Sequence, residues 1–310
     1  MKGEFAAIVA ACLWAVASAI YSRLGERIPA LQINLIKGIV SIILFVVTIL
    51  WRNEFLTNIP LLPFWLLLLS GAIGIGLGDT AFLSAMNALG ARRTLLMQTL
   101  SPPITAILAL IFLGENLKII AWFGIVLTVI GVAWVVTERT TQSSDDILDE
   151  SQQRTEINLR KGITLGFVAA LANAIGAVFS RIALSNEDIS ISPLWAALLR
   201  LSAGVIVLFP WLYLQARNSR NRTTLTTPYW KSPRILAVVF FAVFCGTYLG
   251  IWLQQVAIKF TAVGIASTLL QTSPIFIIPI AIGMGERVSP RAILGVLTSL
   301  VGILVLFYLG

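Results

Sequence analysis

Apolar residues in this chain come in long blocks, each close to the ~20 residues a helix needs to cross about 30 Å of hydrocarbon. Gly, Pro and charged residues separate the blocks. Ten can be read, at 3–24, 32–51, 64–88, 93–113, 119–136, 162–184, 193–215, 235–258, 262–283 and 292–309. Runs such as 42–50 and 275–282 are apolar on every face, whereas a spanning β-strand alternates apolar and polar positions over about ten residues. Helices are therefore the expected spanning element. Composition agrees, with 58% hydrophobic and 12% charged residues and a mean hydropathy of +0.92, where soluble domains carry roughly 25% charge. The expected fold class is all-α, a polytopic membrane protein.

The first block, with Lys2 ahead of it and Ala17-Ser18-Ala19 within it, imitates a secretory signal and its cleavage site. Its residues 13–23 (LWAVASAIYSR) recur at 171–181 (LANAIGAVFSR), in a segment that cannot be a signal, so cleavage is not expected. The match is part of a larger internal repeat. Glu115 pairs with Glu286 at an offset of 171 residues, and the same offset pairs Pro103 with Pro274, Gly124 with Gly295 and Gly131 with Gly302. Lys37 answers to Arg200. The expected organisation is a five-helix repeat at 1–136, a polar acidic linker at 137–161 and a second five-helix repeat at 162–310. An odd number of spans per half turns one copy upside down relative to the other, the inverted-repeat plan of many secondary transporters.

Several function classes are excluded by what the chain lacks. Histidine is absent and the two cysteines, Cys12 and Cys245, lie inside apolar blocks, so no disulfide framework, metal site or histidine base is expected. The formal charge of +8 is spread over short loops, which argues against a nucleic-acid partner. There is no HExxH, GxSxG or phosphate-binding GxxxxGK[ST] sequence, so neither an enzyme nor an ATP-driven pump is expected, and no cofactor. Loops after odd-numbered spans carry fifteen Lys and Arg residues and the opposite face carries five. The positive-inside rule then makes the richer face cytoplasmic and puts both termini outside.

Taken together, these residues resemble the drug/metabolite transporter superfamily, in particular proteins made of two EamA-type repeats. The likeness rests on the five-plus-five layout, on Leu113-Gly114-Glu115 and Gly285-Glu286, on Ala257-Ile258-Lys259-Phe260-Thr261-Ala262, and on a basic residue early in spans two and seven. It implies a ten-helix inverted-repeat transporter with a central cavity lined by the first four helices of each half, commonly exporting amino acids or related metabolites. The first half departs from the pattern, having Met86-Asn87-Ala88-Leu89-Gly90-Ala91 where the second has the lysine motif. Family members usually keep both termini cytoplasmic, against the charge count.

Candidate site residues follow from polar and helix-breaking positions inside the blocks. Pro102, Pro103 and Pro274 lack the N–H that would bond the carbonyl four residues earlier, and paired breaks in corresponding helices point to a binding site or to a packing kink. Beside them Thr94, Gln98, Ser101 and Thr105 share one helix face, and Gln271 and Thr272 accompany the second break. Such side chains line a solute path or act as interhelical hydrogen-bond glue. Trp14 and Trp252 lie deep enough to wall a cavity. Gly71, Gly74, Gly76 and Gly78 read as close-packing positions, and Glu115 and Glu286 as structural groups at the N-termini of the next helices.

Asp79 stands out, because a charge at the bilayer centre costs roughly 2.5–3.5 kcal/mol on insertion scales and requires a partner. Lys37 and Arg200 are the basic candidates within spans. Asp79 is then a counter-ion, or a carrier of protons or of a cationic solute group. The expected function is a secondary transporter of a small solute in a bacterial inner membrane, with the lipid bilayer and the solute as partners and protons as a further one. A non-transporting scaffold or receptor is the alternative.

Overall fold

Residues 1–25, 30–54, 59–89, 94, 97–137, 152–185, 191–218, 233–273, 275, 276 and 290–308 are described by the computed structural model. Among them every regular element is a helix. In chain order these are α1 (Lys2–Gly25), α2 (Ala30–Arg52), α3 (Leu61–Gly71), a π-turn (Ala72–Gly78) leading into α4 (Asp79–Leu89), α5 (Ser101–Leu113), α6 (Ile119–Thr137) and α7 (Gln152–Leu184). There follow α8 (Pro193–Asn218), α9 (Pro233–Ala242), a second π-turn (Val243–Leu249) leading into α10 (Gly250–Phe260), α11 (Val263–Leu270) and α12 (Pro290–Tyr308). Among the described residues, five helical stretches are long and apolar enough to cross a membrane: Leu31–Arg52, Leu61–Met86, Arg160–Leu184, Pro193–Pro210 and Ile235–Phe260. Ser101–Leu113, Ile119–Trp134 and Ile293–Leu306 are shorter apolar helices.

Burial runs opposite to that of a water-soluble globule. Large apolar side chains such as Ile43, Val47, Phe112, Phe123, Leu297 and Leu304 face outward, while Asn34, Ser41, Thr80, Gln98, Thr105, Arg200 and Gln255 are buried. Polar groups inside and an apolar jacket outside suit a surround of hydrocarbon. The chain is an integral, multi-pass membrane protein.

Element boundaries repeat along the chain. The π-turns Ala72–Gly78 and Val243–Leu249, the helices Asp79–Leu89 and Gly250–Phe260, and the helices Ile119–Thr137 and Pro290–Tyr308 begin and end 171 residues apart, the offset already visible in the sequence. Lys37 is the eighth residue of α2 and Arg200 the eighth of α8.

The helix α7 starts at Gln152, ten residues before the expected span at 162, so the latter part of the 137–161 segment is helical rather than loop. Its sequence QQRTEINLRK is rich in straight-chain residues with good helix propensity, which a polarity-based reading takes for a connector. At the other helix ends, Gly114 at φ 65° closes α5 in the left-handed conformation, with its N–H on Ala109 O, as glycine caps do. Asn53, at φ 50°, follows α2 in the same way.

Close approach of helices depends on glycine at a few positions. A Cβ on Gly71 would lie 1.9 Å from the backbone oxygen of Arg200, so α3 and α8 cross there in backbone contact. One on Gly131 would lie 2.3 Å from Ser299 Oγ, and one on Gly302 would lie 2.3 Å from Thr128 Oγ1. Ser299 Oγ donates to Thr128 O at 3.2 Å across this contact between α6 and α12.

Candidate functional site

The first π-turn sets the geometry of the polar interior. Its widened bonding lets the Asp79 N–H reach Gly74 O, five residues back, and places Asp79 at the start of α4 inside the bundle. The second π-turn does the same with Gly250 N–H and Cys245 O. π-turns of this kind occur often at functional sites.

Lys37 Nζ donates to Asp79 Oδ2 at 2.7 Å, with the two side chains 16% and 29% exposed. One helical turn from Lys37, Asn34 Nδ2 donates to Thr80 Oγ1 at 3.4 Å, and Thr80 Oγ1 donates to Gly76 O at 2.6 Å. The π-turn, α4 and α2 are thus tied together by two adjacent polar links. The partner of Asp79 is therefore Lys37 and not Arg200.

Arg200 is 3% exposed, and its Nε and Nη1 have no hydrogen-bond partner. Its Nη2 lies 3.4 Å from where a Gly74 Cβ would stand, a position also close to Gly176 and to the Ala172 carbonyl. Nearby on α7, Asn173 Nδ2 donates to Gln98 Oε1 at 3.3 Å. Asn173 N itself lies 3.7 Å from a Cβ built on Gly78.

The other expected site residues distribute as follows. Ser101 and Pro102 are buried and Pro103 half-buried, and the two prolines are the second and third residues of α5, after a turn at 99–100. Proline fits there, because the first helical N–H groups have no internal acceptor. Thr105 is buried, its hydroxyl donating to Ser101 O at 2.8 Å. Gln271 and Thr272 form a turn after α11, with Thr272 Oγ1 donating to Leu269 O at 2.6 Å. Pro274 and Glu286 lie outside the described residues.

Trp14 Nε1 donates to Gly246 O at 2.7 Å and fills the space beside Gly250, where an added Cβ would lie 2.3 Å from that nitrogen. Trp252 belongs to an aromatic group with Tyr248 at 6.1 Å, and Tyr248 with Phe45 at 4.8 Å. Tyr248 OH shares a 2.7 Å hydrogen bond with Thr48 Oγ1.

Glu115 departs from expectation. Its carboxylate accepts from Val263 N at 2.9 Å, capping the N-terminus of α11 rather than the next helix in sequence. The other oxygen accepts from Arg181 Nε at 2.7 Å, and Arg181 Nη1 donates to Ile258 O and Lys259 O at the end of α10. One ion pair thus closes two helix termini, each with the sign the helix dipole favours.

Sequence reasoning overlooked Asn34, Asn173, Thr80 and Tyr248. Asn34 and Asn173 carried a signal, being amides inside apolar blocks, and Thr80 carried one by adjoining Asp79. Their pairing partners lie on other helices. No group of three or more His, Cys, Asp or Glu side chains placed to hold a metal occurs among the described residues.

A polar interior crossed by a charged pair, inside an apolar helical jacket, defines a polytopic membrane protein with a protected hydrophilic centre. The chain belongs to the EamA-like transporter family, which matches residues 1–137 and 160–308. It is thus a membrane transporter of the drug/metabolite superfamily, a class of transporters rather than of enzymes. An uncharacterized transporter of Vibrio cholerae is 31% identical over 135 residues, spanning 42% of this chain and 44% of that protein. A solved crystal structure of another protein superposes with a TM-score of 0.74 at 14% identity, covering 98% of this chain and 95% of its own. That likeness concerns the fold.

Proposed function

We propose that the protein is a secondary transporter that exports a small metabolite such as an amino acid across a bacterial inner membrane. In this reading, residues 1–136 and 162–310 are inverted five-helix repeats, giving ten spans, and access alternates around a midplane site between them. The observation that carries it is the Lys37–Asp79 ion pair at 2.7 Å, held at a π-turn in the polar centre of the bundle. Asp79 has Gly250 as its counterpart at the 171-residue offset, so its carboxylate is not required by the repeated architecture.

Inversion is supported by the contact between α6 and α12. Gly131 faces Ser299 and Gly295, while Gly302 faces Thr128 and Gly124. Contact positions rise along one helix as they fall along the other, so two sequence-equivalent helices run in opposite directions. The same residues of each copy meet reciprocally, as they do about a two-fold axis.

In the transport cycle, Asp79 exchanges Lys37 for a proton or for a cationic group of the solute. Gln98, Ser101, Thr105, Gln271 and Thr272 lie along the route, with Trp14 and Trp252 as apolar walls. Counterflow of a solute panel in proteoliposomes tests the class of activity. Asp79→Asn keeps the shape of the side chain and removes its charge, and is expected to abolish transport or its pH dependence while the protein still elutes as a folded monodisperse species. Normal transport with unchanged pH dependence in that variant contradicts the role of Asp79, and a wild-type protein that moves no solute favours a scaffold.

A further inference from the structure

Lys37 and Arg200 occupy the same position in equivalent helices, yet their surroundings differ. Lys37 has Asp79. The residue that corresponds to Asp79 in the second half is Gly250, and Trp14 closes over it, so a carboxylate there would have no room. The residue that corresponds to Trp14 through the 13–23 and 171–181 match is Ala172, a much smaller side chain, which packs beside Gly78. One half is therefore built around an internal ion pair and the other around a cation alone.

Charge balance among the described residues sharpens the contrast. Glu4, Glu54, Asp79 and Glu115 pair with the N-terminus, Arg52, Lys37 and Arg181 respectively. None of these pairs includes Arg200. Asp79 is within Coulombic range of Arg200 but spends its hydrogen bond on Lys37. The centre thus holds two cations and one anion, and the unpaired cation is the more deeply buried.

A guanidinium stays charged in proteins and presents a planar fork matched to a carboxylate. Burying one without an acceptor is strongly unfavourable, so the site is incomplete without an anion. Two of its donors, Nε and Nη1, have no partner, and each forms with Nη2 one of the two edges of the fork where a bidentate oxyanion docks. Its Nη2 lies against Gly74, where an added Cβ would stand 3.4 Å from it.

We propose that Arg200 is an anion subsite that binds the carboxylate, or a comparable oxyanion, of the transported solute. This names the chemical class of the cargo and rests on the transporter reading. It also separates the two cations: Lys37 neutralises Asp79, and Arg200 reads the solute. A solute with both charges, such as an α-amino acid, would meet Arg200 with its carboxylate and have Asp79 within reach of its ammonium group.

Two measurements on the full-length protein test it. In the first, apparent melting temperature is followed in detergent with sodium acetate or sodium chloride added at equal ionic strength. Acetate is expected to raise it in the wild type and in Arg200→Lys, which keeps the charge, but not in Arg200→Gln. Equal stabilisation by chloride would make the site an inorganic-ion site and overturn the proposal, as would an acetate effect that persists in Arg200→Gln.

In the second, proteoliposome counterflow compares L-phenylalanine, L-leucine, L-threonine and L-glutamate with their methyl esters and with the tetraphenylphosphonium cation. The free acids are expected to be preferred over the esters by about tenfold or more, the loss typical of a charged hydrogen-bonded contact. Arg200→Gln is expected to erase that preference and Arg200→Lys to restore part of it. Transport of the free acids at wild-type affinity in Arg200→Gln, or no preference for them over the esters in the wild type, overturns the proposal. If no solute moves but acetate still stabilises through Arg200, the transporter reading fails and the anion site stands.

Discussion

Single residues here do unlike work although they look alike in sequence. Lys37 and Arg200 are both cations eight residues into a span, but Lys37 meets Asp79, whereas the counterpart of Asp79 in the second half is Gly250, covered by Trp14. Glu115 joins Arg181 and the first N–H of α11. Glu115→Gln removes the charge while keeping an acceptor, and is expected to cost about 2 kcal/mol, the scale of a charged hydrogen bond. It should therefore lower the apparent melting temperature in detergent, and Arg181→Gln in the same background should add little, because the two side chains share one interaction. Additive losses would show that they act separately. Asp79 was legible from sequence because a lone carboxylate inside an apolar block has few innocent explanations. Asn34 and Asn173 were not, because an amide in a span is as readily interhelical glue, and its meaning depends on the residue it meets on another helix.

Among the elements, the length and apolarity of the helices could be read directly, but the π-turns could not. The first π-turn lies where Gly71 packs against Arg200 O and Gly74 against Gly176, contacts absent from any local pattern. The span expected at 162–184 falls within Arg160–Leu184, and the helix runs on ahead of it to Gln152. A polar stretch with good helix propensity reads as linker when hydropathy is the guide. The expected next-helix role of Glu115 failed because neighbours in space are not neighbours in sequence. The contact of α6 with α12 gives a direct test. A Gly131 Cβ would stand 2.5 Å from the backbone nitrogen of Ser299, which cannot move aside as a flexible side chain would. Gly131→Ala and Gly302→Ala are each expected to destabilise by about 1–3 kcal/mol, the usual range for overpacking, seen as a lower apparent melting temperature. Ile130→Ala, on an exposed position of the same helix, should change it little. Unaltered stability in both glycine variants would mean that the helices are not packed this tightly.

At the scale of the whole molecule, repetition was the most legible property, since Gly, Pro and charged residues recurred at one offset and the element boundaries fall on the same offset. The inversion we propose for the copies rests on the reciprocal contacts of α6 and α12, and the proposed function depends on both. If the repeats rock about the polar centre, residues near Asp79 must open to water on each face in turn. The measurement that tests this most directly is cysteine labelling at Gln98 and Asn173, one at a time, after Cys12 and Cys245 are replaced by serine and alanine. Proteoliposomes of known orientation are treated with a membrane-impermeant thiol reagent from one face or the other, with and without transported solute. Each cysteine is expected to react from both faces in the whole population, and solute is expected to shift the balance between the faces. Reaction from neither face by a protein that still transports, or from a single face under every condition, would contradict alternating access around this site.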